Sequence, residues 1–160
     1  MATITKNQLG ARQFGASRTV YGNVLALPFA LTTDAAGALE EADSTEAVAA
    51  GDVVKIGVLP GGMRLDDAKV AIKTAMTASV TGDLGFAYVD GEDDAAVPQD
   101  SDYFAAGVSL AAAAVLRMAT PVAPVTLPKD AWLILTTGGA ANDQASEIHV
   151  TVYGEQLGLA

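Results

Sequence analysis

GDVVKIGVLPGGMRLDDAKVAIK, residues 51–73, decides how the fold is read. Val53, Lys55, Gly57 and Leu59 alternate with Val54, Ile56 and Val58. Beyond Pro60-Gly61-Gly62, Val70 and Ile72 point one way while Lys69, Ala71 and Lys73 point the other. A period of two belongs to a strand, and a polar alternate face means that one side of the sheet is wet. The spacing predicts two strands, 55–59 and 69–73, paired as a hairpin across the Pro-Gly-Gly turn. No side chain in the stretch is equipped for chemistry, so its role is scaffolding.

The same period recurs on both sides. Residues 19–31, TVYGNVLALPFAL, are strand-like, with Pro28 marking an edge or a bend. An acidic stretch follows that lacks apolar periodicity apart from Leu39 and Val48, and it reads as a surface loop. Residues 83–91, 130–139 and 146–155 alternate again. Residues 103–119, YFAAGVSLAAAAVLRMA, are ambiguous: alanine favours helix, whereas Gly107, Val108, Val115 and the flanking strands favour strand, the reading adopted. Seven or eight short strands between Gly, Pro and Asp turns predict an all-β protein, an antiparallel β-sandwich of jelly-roll type. At 160 residues the chain suits one domain, 19–160, preceded by an extended N-terminal arm, 1–18.

Charge divides the chain in the same place. The formal net charge is −10, from 9 Lys plus Arg against 19 Asp plus Glu, which repels phosphate backbones and anionic lipid. Neither nucleic acid nor membrane is therefore an expected partner. Residues 1–18 nevertheless hold Lys6, Arg12 and Arg18 and no acid. This stretch is either a frayed terminus or an arm that docks on a more acidic surface, with Ile4, Leu9 and Phe14 as its apolar contacts. Without a long apolar run or a secretion signal, the chain is expected to be made in a cytoplasm.

The residue types that carry chemistry are scarce. There is no cysteine, hence no thiolate and no Cys-ligated metal. The sole histidine, His149, falls on the polar face of the last strand, where a solvent-facing side chain is the plain reading. Six carboxylates between Asp90 and Asp102 do not have the spacing of a calcium-binding EF-hand loop, and the glycine-rich turns lack the lysine of a phosphate loop. The expectation is no catalytic residue, no metal, no cofactor and no enzyme. Trp132, within the apolar run AWLIL, suggests a strand covered on both faces or a partner interface.

Three segments, GDVVKIGVLPGGMRLDDAKV, LGFAYVDGEDDAAVPQDSDYFAA and VAPVTLPKDAWLILTTGGA, taken in order, resemble a family of small structural proteins of tailed, particularly short-tailed, bacteriophages. The resemblance spans residues 51–154 and rests on structural motifs. It implies a virion protein: a capsid decoration, or cement, protein with a jelly-roll fold that binds the assembled head shell as a small homo-oligomer, a dimer favoured over a trimer. The implied partners are the major capsid protein and itself, and the implied place is the head exterior after synthesis in the bacterial host cytoplasm. Capsid-binding residues are then expected at Lys6, Leu9, Arg12, Phe14, Arg18 and Trp132. The alternative is a carbohydrate-binding or structural domain of a phage tail or fibre, which would need clustered exposed aromatics.

Overall fold

The computed structural model describes residues 1–5 and 23–158. Among these are ten strands and no helix: β1 Thr3–Thr5, β2 Val24–Thr33, β3 Val53–Leu59, β4 Met63–Thr74, β5 Thr81–Tyr88, β6 Asp100–Ser109, β7 Ala114–Arg117, β8 Val125–Thr126, β9 Ala131–Gly138 and β10 Ser146–Gln156. One sheet runs β1-β3-β9-β5-β6, and the other runs β2-β10-β4-β7 with β8 also paired to β4. All pairings are antiparallel except β1 on β3. The inner residues of both sheets form a single apolar core.

The expected hairpin does not form. β3 pairs with β1 and β9, whereas β4 pairs with β10, β7 and β8 in the other sheet. The Pro-Gly-Gly turn therefore arches over the edge of the core. The reason lies in its flanks: Leu59, Met63 and Leu65 are all fully buried, so the apolar faces on either side of the turn meet across the core. The turn's own amides are taken elsewhere. Gly61 N donates to Asp130 Oδ1 (2.8 Å) and Gly62 N to Leu127 O (2.7 Å), with Gly62 at φ 78°, a conformation that favours glycine.

A further consequence of the arch is that β3 faces β2 through Gly57. A Cβ there would lie 2.2 Å from Phe29 Cε1. Gly57→Ala is expected to cost about 1–3 kcal/mol as an overpacked core position. Combining it with Phe29→Leu should recover part of that loss in a double-mutant cycle by urea denaturation; additive losses would disprove the contact.

Within 103–119 the regular structure is strand, 103–109 in β6 and 114–117 in β7, with a short turn between them. Alanine's helix propensity is overridden because Tyr103, Phe104 and Ala105 are buried consecutively at an irregularity in the β5–β6 register, between the Leu84–Ala105 and Phe86–Asp100 pairs. Phe86, Tyr103 and Phe104 then stack edge to face, with centroids 5.6 and 4.8 Å apart. The Tyr103 hydroxyl reaches across to β4, 3.2 Å from Leu65 O and 3.1 Å from Ala123 O, and accepts from Val125 N.

The acidic stretch after β2 is a loop pinned by its two apolar residues, Leu39 and Val48, both buried. Asp34 Oδ1 organises its start by accepting from Ala36 N and Ala38 N. At the foot of the loop β1 completes the first sheet. Ile4, expected as an apolar contact of a docking arm, is instead 2% exposed in the core, and Ala2 N donates to the buried Asp52 Oδ1 (2.7 Å), so residues 1–5 of the expected 1–18 arm belong to the body.

Candidate functional site

Of the six residues expected to meet a partner, Lys6, Leu9, Arg12, Phe14 and Arg18 lie outside the described residues. Trp132 lies on β9, on the face of its sheet away from the core, half-buried between the paired positions of Val58 and Ala87. Lys55 Nζ stands 5.4 Å over its ring. The apolar run around it divides by the strand period. Leu133 and Leu135 enter the core, while Ile134, on the outer face, is only 6% exposed. The strand is thus largely covered on both faces within the chain.

His149 is exposed on the outer face of β10, its Nε2 3.0 Å from Glu147 Oε1. Glu147 is also held by Lys73 at 2.7 Å, and these two neighbours, Lys73 first, lower its pKa. His149→Ala is expected to change stability by less than about 0.5 kcal/mol, the usual effect of an exposed truncation. A melting temperature lowered by several degrees would contradict the assignment.

Four of the six carboxylates between Asp90 and Asp102, those of Asp90, Asp93, Asp94 and Asp100, accept from the chain's own backbone. Asp93 Oδ1 accepts from Asp94 N and Gln99 N, and Asp94 Oδ1 from Ala96 N and Val97 N. Lys129 Nζ binds Asp90 Oδ2 (2.7 Å) and Glu92 O (2.8 Å) and lies 4.6 Å from the Tyr88 ring centroid. Its hydrogen bond lowers the Asp90 pKa. Asp102 is raised, first because its carboxyl hydrogen-bonds that of Asp100. Among the described residues no three His, Cys, Asp or Glu side chains are grouped to hold a metal ion.

Beneath this loop the Tyr88 hydroxyl donates to Val97 O (2.5 Å), and its pKa is pushed up to about 12, by burial first and then by the charges of Asp94, Asp93 and Asp90. A phenol raised in the folded state supports folding fully below the unfolded value of 10, and that support is lost as pH rises from 10 through about 12. The melting temperature is expected to fall across that window, with a tyrosinate absorbance step near its upper end that Tyr88→Phe removes. Persistence of the step in the variant would assign it elsewhere.

Two features carried no sequence signal. At one end of the molecule Asn142 is buried and fully bonded. It donates to Thr33 Oγ1 (3.0 Å) and Gln144 O (2.8 Å) and accepts from Thr77 N (3.0 Å), tying three connections together. The other is the balance of charge on the outer face of the β2-β10-β4-β7 sheet, which depends on which strands lie side by side.

No protein-family model matches the chain, and no curated protein sequence matches it. Solved structures do. A chain in the capsid of Ralstonia phage GP4 superimposes with a TM-score of 0.65 at 18% identity, covering 99% of this chain and 99% of its own length. A chain in the capsid asymmetric unit of cyanophage Pam1 does so with a TM-score of 0.54 at 12% identity, over 94% and 97% of the two chains. This all-β fold occurs in phage capsids. The likeness runs nearly end to end, beyond the segments that carry the sequence resemblance.

Proposed function

We propose that the protein is a virion structural protein that decorates and stabilises the assembled head shell of a tailed phage from the outside. The observation that carries this reading is the end-to-end fold likeness to a chain in a phage capsid. The jelly-roll topology belongs to the same reading: β2, β3, β4 and β5 fall alternately in the two sheets, the switching such a fold requires. The partners are the major capsid protein and further copies of the chain, and the net charge of −10 disfavours nucleic acid and membrane. Synthesis takes place in the host cytoplasm. No catalytic step is assigned to the chain.

Attachment falls to the basic segment and to Trp132. The described residues hold six Lys and Arg against 19 acids, and the other three cations, Lys6, Arg12 and Arg18, all lie between β1 and β2. Leu9 and Phe14 belong to the same segment and supply the apolar part of the proposed contact. Many weakly bound subunits on a repeating shell add up by multivalency.

The test is to mix intact protein and the triple variant Lys6→Glu, Arg12→Glu, Arg18→Glu with heads lacking this protein, and to count bound copies. Intact protein is expected to cover the shell in many copies. The variant is expected to bind less at low salt, with the difference shrinking as exposed charges are screened over about 8 Å at physiological ionic strength. Failure of intact protein to bind heads, or its restriction to one vertex, would overturn the reading.

A further inference from the structure

From the contrast between the two outer faces of the sandwich, we infer that the body lies on the shell by the outer face of β3, β9 and β5, with Trp132 against an apolar patch of the shell protein and Lys55 against one of its carboxylates. This rests on the decoration reading above and deepens it by naming the face and the chemistry opposite it. β3, β9 and β5 hold two charged residues in all, Lys55 and Asp83, and the Asp83 carboxylate accepts from Gly107 N. Val58, Trp132 and Ala87 stand in one register row across the three strands, and the next row pairs Lys55 with Ile134. The β2-β10-β4-β7 face is the opposite case. Arg64 with Glu155, Lys73 with Glu147 and Arg117 with Asp67 pair along it, beside Lys69. Covering that face would take three ion pairs out of water, which their mutual attraction offsets only in part. Of the two faces, the one with least charge to desolvate goes down on the shell, and the ion-paired one stays in water.

Lys55 indicates what the shell must offer. Of the six described cations, Arg64, Lys73, Arg117 and Lys129 are ion-paired. Among the described residues no carboxylate is paired with Lys55, whose Nζ instead stands 5.4 Å over the Trp132 ring. An unpaired ammonium on the sole tryptophan of the chain, within a face otherwise nearly free of charge, matches a carboxylate set in an apolar surface: the ring supplies contact area and the cation supplies the charge. Lys69 is also without an ion pair among the described residues, but it lies amid the charges of the wet face. Three strands about 4.8 Å apart and about eight residues long present roughly 400 Å². That is about half of the ~800 Å² per partner of a standard interface. A contact so small depends on few side chains, so a single substitution in it is strongly felt.

The two unpaired lysines give a matched test. Lys55→Glu and Lys69→Glu change the net charge equally, so any long-range repulsion from an acidic shell is the same for both, and only the face differs. With heads lacking this protein, Lys55→Glu is expected to raise the concentration needed for half-coverage about tenfold or more, and Lys69→Glu by less than about twofold. Unchanged melting temperatures would show that both variants fold. A second measurement needs no variant. The chain is made with 5-hydroxytryptophan in place of its one tryptophan, so that its emission can be excited apart from that of the shell protein. Quenching of this emission by acrylamide is expected to fall about threefold or more when the chain is bound to heads, because the ring then lies in a desolvated contact. Equal losses for the two variants, or a bound ring as open to acrylamide as the free one, would overturn the inference while leaving decoration in place. Wild-type chain that does not bind heads at all would overturn the decoration reading and the face with it.

Discussion

Removal of residues 1–5 is expected to lower the unfolding free energy by about 2–5 kcal/mol, the range for emptying one large aliphatic site. Ile4 is 2% exposed in the common core, held there by the parallel pairs Thr3–Val53, Ile4–Val54 and Thr5–Lys55. The loss is compounded at Asp52. Its buried Oδ1 would keep only solvent in place of Ala2 N, and Val53 N would lose Ala2 O (3.0 Å). Two more bonds to Thr5, from its N to Asp43 Oδ1 (2.8 Å) and from Asp43 N to its O (3.0 Å), would go as well. Urea denaturation of the truncated chain beside Ile4→Ala checks the prediction, the single substitution reporting the cavity alone. A truncated chain with the wild-type midpoint would remove β1 from the account. The result also bears on attachment: a truncation through residue 18 removes core together with charge, so charge reversal is the cleaner probe of the basic segment.

Phe104→Ala should cost about 3–5 kcal/mol, the range for deleting a buried aromatic ring. Phe104 is completely buried, and its ring meets Tyr103 edge to face at 89°, Tyr103 in turn meeting Phe86 at 71°. Emptying the site removes the end of this column where β6 leaves regular pairing. Tyr103→Phe is the informative companion. It keeps the ring but deprives Val125 N of its acceptor and removes the one hydroxyl proton shared by Leu65 O and Ala123 O, at about 1–3 kcal/mol. Chemical denaturation read by both fluorescence and circular dichroism would measure the two losses. A Phe104→Ala loss under about 1 kcal/mol would contradict the burial assigned to the ring.

The strand content was legible because the period of two is a local property: alternate side chains must point to opposite faces whatever the strand pairs with. Residues 55–59, 69–73, 83–91, 130–139 and 146–155 are read on that period, and each falls on one of β3, β4, β5, β9 and β10. The ambiguous 103–119 segment shows where local information runs out. Its alanines favour helix, and only the burial of Tyr103 and Phe104 between the sheets overrides them.

Sequence by itself determined the all-β class, the exposed setting of His149, the turn at Pro60-Gly61-Gly62 and the confinement of three of nine cations to the segment before β2. Tertiary structure decided whether that turn closes a hairpin or arches between sheets, that Ile4 belongs to the core, and which cations share a face with which carboxylates. The reason is physical. Alternation says that a strand has an apolar side, but a hairpin and an arch bury the same residues, and they differ only in whether Leu59 and Met63 meet side by side or across the core. That choice is made by β9 and β10, which arrive more than sixty residues later to take the edges of β3 and β4.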